Sequence, residues 1–154
     1  MSDHLRDHVR PYLARSTEER IAYIQAPRWI GHQVAVQAHN RLAELLARPP
    51  ALRTRGLMLV GPYANGKTMI AERFAVEHLR TAESQRVWLV QTREGAGLTH
   101  FYGSILQALR APVGKSRDVG RKAEQIDHLL DSLKPRILIF DEFHNALRGR
   151  ARDV

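Results

Sequence analysis

The sequence predicts a three-layer α/β domain with a parallel sheet, entered through an N-terminal helical extension. Three observations carry this reading. Leu57-Met58-Leu59-Val60, Val87-Trp88-Leu89-Val90 and Ile137-Leu138-Ile139-Phe140 are short, continuously apolar runs, the pattern of strands buried on both faces. Amphipathic stretches long enough for helices alternate with them, which implies crossover connections and parallel pairing. Residues 1–55 hold no such run and read as helical, so the chain divides into an extension, 1–55, and an α/β part, 56–154.

In the extension, Ser16-Thr17-Glu18-Glu19 has the spacing of a capping box: Ser16 can accept from the backbone of Glu19, and Glu19 can reach back. A helix is expected to follow through Ile21 and Ile24. A second is expected from near Gln33 to Ala47, with Ala35, Ala38, Leu42 and Leu45 on one face, stopped by Pro49-Pro50. In the α/β part, a helix from Lys67 to about Leu79 would bury Ile70 and Phe74. Leu98, Phe101, Tyr102, Ile105 and Leu109 form one helical stripe, and Ile126, Leu129, Leu130 and Leu133 another, which Lys134-Pro135 breaks.

The composition, 44% hydrophobic and 26% charged over 154 residues, is that of a globular chain with a real core. The absence of cysteine excludes disulfides and Cys-based zinc or iron–sulfur sites. No run approaches the roughly 20 apolar residues of a membrane span, and the charged N-terminus has no apolar signal core. A soluble cytoplasmic protein with no membrane partner is therefore expected. The net charge of +8 favours polyanions, DNA or RNA. Its basic clusters are Arg6, Arg10 and Arg15; Lys115, Arg117, Arg121 and Lys122; and Arg148, Arg150 and Arg152. Each also fits a plain solvated face. Eight histidines are scattered. His4 and His8 can share a helix face, but no third ligand accompanies them, and a metal site there is not expected.

Two motifs carry chemistry. Gly61-Pro62-Tyr63-Ala64-Asn65-Gly66-Lys67-Thr68 matches G-x-x-x-x-G-K-[ST] in full, between an expected strand and an expected helix. Gly61 and Gly66 permit the tight turn and the close approach of backbone to phosphate. The loop amides and the following helix N-terminus then face the anion. Lys67 would reach the β- and γ-phosphates, and the Thr68 hydroxyl would bind Mg²⁺. Ile137-Leu138-Ile139-Phe140-Asp141-Glu142 is the matching strand with an acidic end. Asp141 would serve the Mg²⁺ side, and Glu142 would polarise an attacking water. The expected ligand of the loop Gly61, Pro62, Tyr63, Ala64, Asn65, Gly66, Lys67 and Thr68 is ATP with Mg²⁺. The expected metal ligands are Thr68 and Asp141, and the expected catalytic groups are Glu142 and Lys67. Trp29-Ile30-Gly31-His32 can pack near the adenine or serve ordinary helix packing. His144-Asn145 can sense the γ-phosphate or a partner, or play a structural part.

These residues resemble the TniB family of transposition ATPases, within the AAA+ class of P-loop NTPases. The likeness runs from about residue 16 to 147 through Glu19-Arg20-Ile21, Arg28-Trp29-Ile30-Gly31, Asn40-Arg41-Leu42, Leu59-Val60-Gly61-Pro62, Asn65-Gly66-Lys67-Thr68-Met69-Ile70, Phe101-Tyr102 and Asp141-Glu142-Phe143-His144-Asn145. The P-loop and acid pair are generic to many ATPases; Arg28-Trp29-Ile30-Gly31 in register with them is more specific. The resemblance implies an ATP-binding transposition helper that assembles as a homo-oligomer on DNA and helps the transposase of the same element capture its target. ATP binding would favour the DNA-bound assembly and hydrolysis would release it.

The resemblance also implies parts not identifiable in this sequence: a fourth strand with a polar sensor residue, an arginine finger, a fifth strand and a helical lid. That fourth strand lies between the P-loop strand and the strand ending in Asp141, which would otherwise lack a shared neighbour. A truncated AAA+ fold is therefore expected, poorly active in hydrolysis and less stable than its length suggests. Two other classes fit parts of the pattern. One is an ATP-independent interaction fragment built on the N-terminal helices. The other is a P-loop kinase of a small molecule, disfavoured by the Asp141-Glu142 pair and the helical extension.

Overall fold

The computed structural model describes residues 5–26, 28–49, 51, 53–79, 86–95, 97–114 and 118–147. The chain forms two units, Met1–Gly31 and His32–Val154.

In the first unit a 3₁₀ turn, Arg10–Ala14, precedes helix α1, Thr17–Gln25. The capping box is complete: Glu19 N donates to Ser16 Oγ at 3.3 Å, and Ser16 N donates to Glu19 Oε2 at 3.0 Å. Two of the helix's orphan amides thus find partners within one turn. Tyr12 stacks on Tyr23 at 3.6 Å between centroids, while Arg15 and Arg28 lie over the Tyr12 and Tyr23 rings. Ile21 and Ile24 are exposed, and α1 buries no residue.

The second unit is built around two parallel strands, β1, Val87–Gln91, and β2, Ile137–Asp141, in register from Val87 opposite Ile137 to Gln91 opposite Asp141. Because strand side chains alternate, the pair has two apolar faces. Trp88, Val90, Leu138 and Phe140 join Ile105, Leu106 and Leu109 of the α4 region and Ile126 of α5 in one core. Helix α4 spans Leu98–Ala108 and α5 spans Val119–Leu133. On the opposite face Val87, Leu89, Ile137 and Ile139 meet Phe74 and Ala75 of α3, Lys67–Leu79, and Leu42 and Leu46 of α2, Gln33–Ala47. Helices therefore cover both faces of an α/β core, and each fully buried large side chain such as Phe74 or Leu106 stabilises it by about 1.5–3 kcal/mol. The helix positions and the parallel pairing of the Val87 and Ile137 strands expected from the sequence are present, and the expected stripes are buried or half-buried except at Leu98, which is exposed.

Helix ends follow local chemistry. Asp118 caps α5 by accepting from Arg121 N at 3.2 Å. Lys134 ends it with a left-handed φ of +45°, and Pro135 bars continuation. At the C-terminus of α2, Arg136 donates to the carbonyls of Leu46 and Arg48, satisfying groups the helix itself leaves open.

One expected element is not formed. Leu57–Val60 is not a strand, and it is exposed rather than buried, with Met58 at 82% and Val60 at 79%. The reason is pairing. Among the described residues the sheet contains only β1 and β2, and neither of its outer edges pairs with this run. An apolar run gains strand geometry only from a neighbour that takes its amides and carbonyls. β2 carries the same signature; its residues Ile137–Phe140 are half-buried, not fully enclosed. Lys122 also departs from expectation. Grouped with a basic cluster by sequence, it is buried, and its Nζ donates to Gly114 O at 3.0 Å. His4, Lys115, Arg117, Arg148, Arg150 and Arg152 lie outside the described residues. Among the described residues no helix is long and apolar enough to cross a membrane.

Candidate functional site

The loop Gly61–Gly66 leads directly into α3, so Lys67 and Thr68 are the first two residues of the helix. The turn is made by two left-handed residues, Ala64 at φ +58° and Gly66 at φ +77°. At Gly66 only glycine adopts that backbone without strain. Gly61 differs. A β-carbon built there would meet only Asn65 Nδ2, at 3.8 Å, an ordinary contact. Nothing in the protein itself demands glycine at 61.

Lys67 folds back over the loop. Its Nζ donates to Pro62 O at 2.7 Å and Gly61 O at 3.0 Å. The ammonium thus satisfies loop carbonyls, and an anion in the loop would compete for the same charge. Pro62, Tyr63, Ala64 and Asn65 are exposed, Tyr63 at 95%. Beside the loop lies a cavity of about 260 Å³, lined on its polar side by His32, Gly61, Asn65 and Lys67. Val34, Leu59, Val60 and Ile70 supply its apolar wall. Of the Trp29–His32 segment, His32 is the residue that lines this cavity. Its Nδ1 also accepts from Ala35 N at 3.3 Å, capping α2.

Thr68 reaches across to β2. Its Oγ1 donates to Asp141 Oδ2 at 2.9 Å, joining residues 73 apart in sequence. Asp141 is buried at 8% exposure and sits at the C-terminal end of its strand. In an open α/β sheet this end is where ligands gather. A hydroxyl and a carboxylate held together are hard oxygen donors, the set that suits Mg²⁺ rather than a softer metal. Among the described residues no group of three or more His, Cys, Asp or Glu is placed to hold a metal by itself. A cation here would therefore share its shell with a ligand and water.

Glu142 follows in a left-handed turn, φ +53°. The turn is pinned from three sides. Asn145 N donates to Glu142 O at 2.9 Å. The buried Asn145 side chain donates from Nδ2 to Thr92 O at 3.1 Å. Phe143 packs against Phe101 and Phe140, with centroids 5.9 and 6.0 Å away. Thr92 N in turn donates to Asp141 O at 3.0 Å, so the chain leaving β1 braces the acidic end of β2. His144 opens the short helix α6, His144–Leu147, and its Nδ1 lies 3.2 Å from Glu142 Oε2. The sequence proposed a sensing or structural role for His144-Asn145. The structure separates the two: Asn145 is an internal brace, whereas His144 is exposed beside Glu142. Thr92 and its partnership with Asn145 were missed by sequence reading, and no signal short of the fold marks them.

No curated protein and no solved structure matches this chain. The family model described as "Bacterial TniB protein" matches residues 20–154, which takes in the P-loop, the β1–β2 core and the Asp141–Asn145 turn. The chain belongs to the TniB family.

Proposed function

We propose that this chain is the ATP-binding part of an AAA+ transposition helper, which engages DNA and the transposase of its own element in an ATP-dependent way. The observation that carries the reading is the Thr68–Asp141 hydrogen bond. It brings the hydroxyl after the P-loop lysine and the acid at the end of β2 to one point, beside the exposed loop Pro62–Asn65. Gly61, Pro62, Tyr63, Ala64, Asn65 and Gly66 would wrap the β- and γ-phosphates with their amides. Lys67 would exchange its loop carbonyls for phosphate oxygens. The cavity beside them is large enough for a purine ring, and its apolar walls with one imidazole suit a flat heterocycle. Mg²⁺, held by Thr68 and Asp141 together with the phosphates, would neutralise charge on the triphosphate. Glu142 would take a proton from the attacking water as it adds to the γ-phosphorus, with ADP leaving. The extension 1–55 and the basic residues Arg6, Arg10 and Arg15 are proposed to serve partner and DNA binding, with a homo-oligomer as the working assembly.

Calorimetric titration with ATP tests the reading. The expected result is Mg²⁺-dependent binding that is lost in Lys67→Ala and weakened in Asp141→Asn. ATP affinity unaffected by both substitutions would sink it. DNA binding is expected to weaken steeply as salt rises, since phosphate contacts release counterions. An interaction fragment remains the second reading, favoured by the exposed, unpaired Leu57–Val60 run. Partner binding that survives Lys67→Ala and ignores ATP would select it.

A further inference from the structure

The backbone around Glu142 is braced by Asn145, Thr92 and Phe143, but its carboxylate is not braced by any of these. It stands on three rotatable bonds with its side chain 38% exposed. A general base must be held within hydrogen-bond reach of one water, and a misplacement of about 1 Å can cost about a hundredfold in rate. Among the described residues, the side chain paired with this carboxylate is His144, Nδ1 to Oε2 at 3.2 Å. The pairing is local, within a backbone turn that is held: α6 begins at His144, and Asn145 ties the same turn to Thr92, just past β1.

Resting on the reading of Glu142 as the base, we propose that His144 is a positioning residue. It holds Oε2 of Glu142 so that Oε1 is turned toward the attacking water. In this role the imidazole acts wholly through Glu142. His144 is itself 56% exposed, so its removal leaves no core void and the fold is expected to persist. That separates it from Asn145, whose side chain is buried and whose loss would disturb the turn itself.

The test uses the full 154-residue chain with Mg²⁺ and ATP, following phosphate release over long incubations and nucleotide affinity by titration. His144→Ala is expected to slow hydrolysis about tenfold while ATP affinity stays within about twofold, a loss in kcat alone. His144→Asn places an amide N–H where Nδ1 stood and is expected to restore most of the rate. Adding His144→Ala to Glu142→Gln should slow hydrolysis no further than Glu142→Gln does alone, because the two act as one unit. His144→Ala with wild-type turnover, in a chain whose hydrolysis Glu142→Gln abolishes, overturns the positioning role and leaves the functional reading intact. Hydrolysis that is absent, or indifferent to Glu142→Gln, overturns the reading of Glu142 as the base and this role with it, whereas the ATP-binding reading stands or falls on the titration of Lys67→Ala and Asp141→Asn.

Discussion

Leu57–Val60 and β2 carry nearly the same text: four apolar residues, then the residues that carry the chemistry. One is a strand and the other is not. β2 lies beside β1, and its backbone enters a ladder that β1 completes. Leu57–Val60 has no such neighbour among the described residues, and it stays irregular with its side chains largely in water. Apolar sequence therefore supplies the burial half of a strand's stability, and a partner edge supplies the other half. Nonetheless the P-loop after Leu57–Val60 and the acid at the end of β2 still meet, through Thr68 and Asp141. The site's geometry is held by α3 packing on the β1–β2 pair through Phe74 and Ala75, not by a strand in front of the loop.

The largest effect that can break this comparison comes from core truncation. Phe74→Ala, in the layer that carries the P-loop helix, is expected to cost about 3–5 kcal/mol in chemical denaturation. Met58→Asp, in the same apolar class by sequence, is expected to change stability by less than about 0.5 kcal/mol. Comparable losses from the two would show that Leu57–Val60 is packed after all.

Next comes the link between the two regions. Thr68→Val keeps the shape of the side chain but removes the hydroxyl donated to the buried Asp141 carboxylate. It is expected to cost about 1.5–3 kcal/mol and to abolish the Mg²⁺ dependence of ATP binding. Unchanged stability together with unchanged Mg²⁺ dependence would mean that the hydrogen bond holds nothing.

The two loop glycines sharpen the contrast further. Gly66→Ala forces a side chain into a left-handed backbone and should cost about 1–2 kcal/mol of stability. Gly61→Ala meets no clash in the protein, so thermal unfolding should barely move while ATP affinity falls. Equal stability losses at both positions would contradict the assignment of Gly61 to the ligand.

The smallest effects lie in α1. Ser16→Ala removes half the capping box and is expected to cost about 1 kcal/mol, read as faster amide exchange in α1. The Glu18 carboxyl is held below the usual carboxylate range, first by a backbone N–H of the helix start and then by Ser16. Its folded value is the lower one, so its support for α1 is present at neutral pH and lost as pH falls through that lowered value. Glu18→Gln should remove this acid-side change in α1 helicity; an unaltered acid-side profile would contradict it.

Much of this was legible in the sequence. The capping box at Ser16, the helix from Lys67, the strands at Val87 and Ile137 and the stop at Lys134-Pro135 all follow from local spacing and turn chemistry. The motif at Gly61–Thr68 and the acid pair Asp141-Glu142 stand out in the sequence because each is continuous. What the sequence could not carry is non-local. The fate of Leu57–Val60 depends on which edge lies beside it. Lys122 reads as a surface cation until Gly114 O is found at its tip. The brace from Asn145 to Thr92 joins residues 53 apart, and neither residue type announces it.

We propose that Gly61–Thr68 and the end of β2 form one Mg²⁺–ATP site although Leu57–Val60, just before the loop, is not a strand. Hydrogen exchange of the chain with and without Mg²⁺–ATP tests it most directly. The account predicts rapid exchange at Leu57–Val60 in the free protein, protection of β1 and β2, and new protection at residues 61–68 and 141–142 on adding nucleotide, lost in Lys67→Ala. Protection at residues 61–68 and 141–142 that does not change with nucleotide would contradict it.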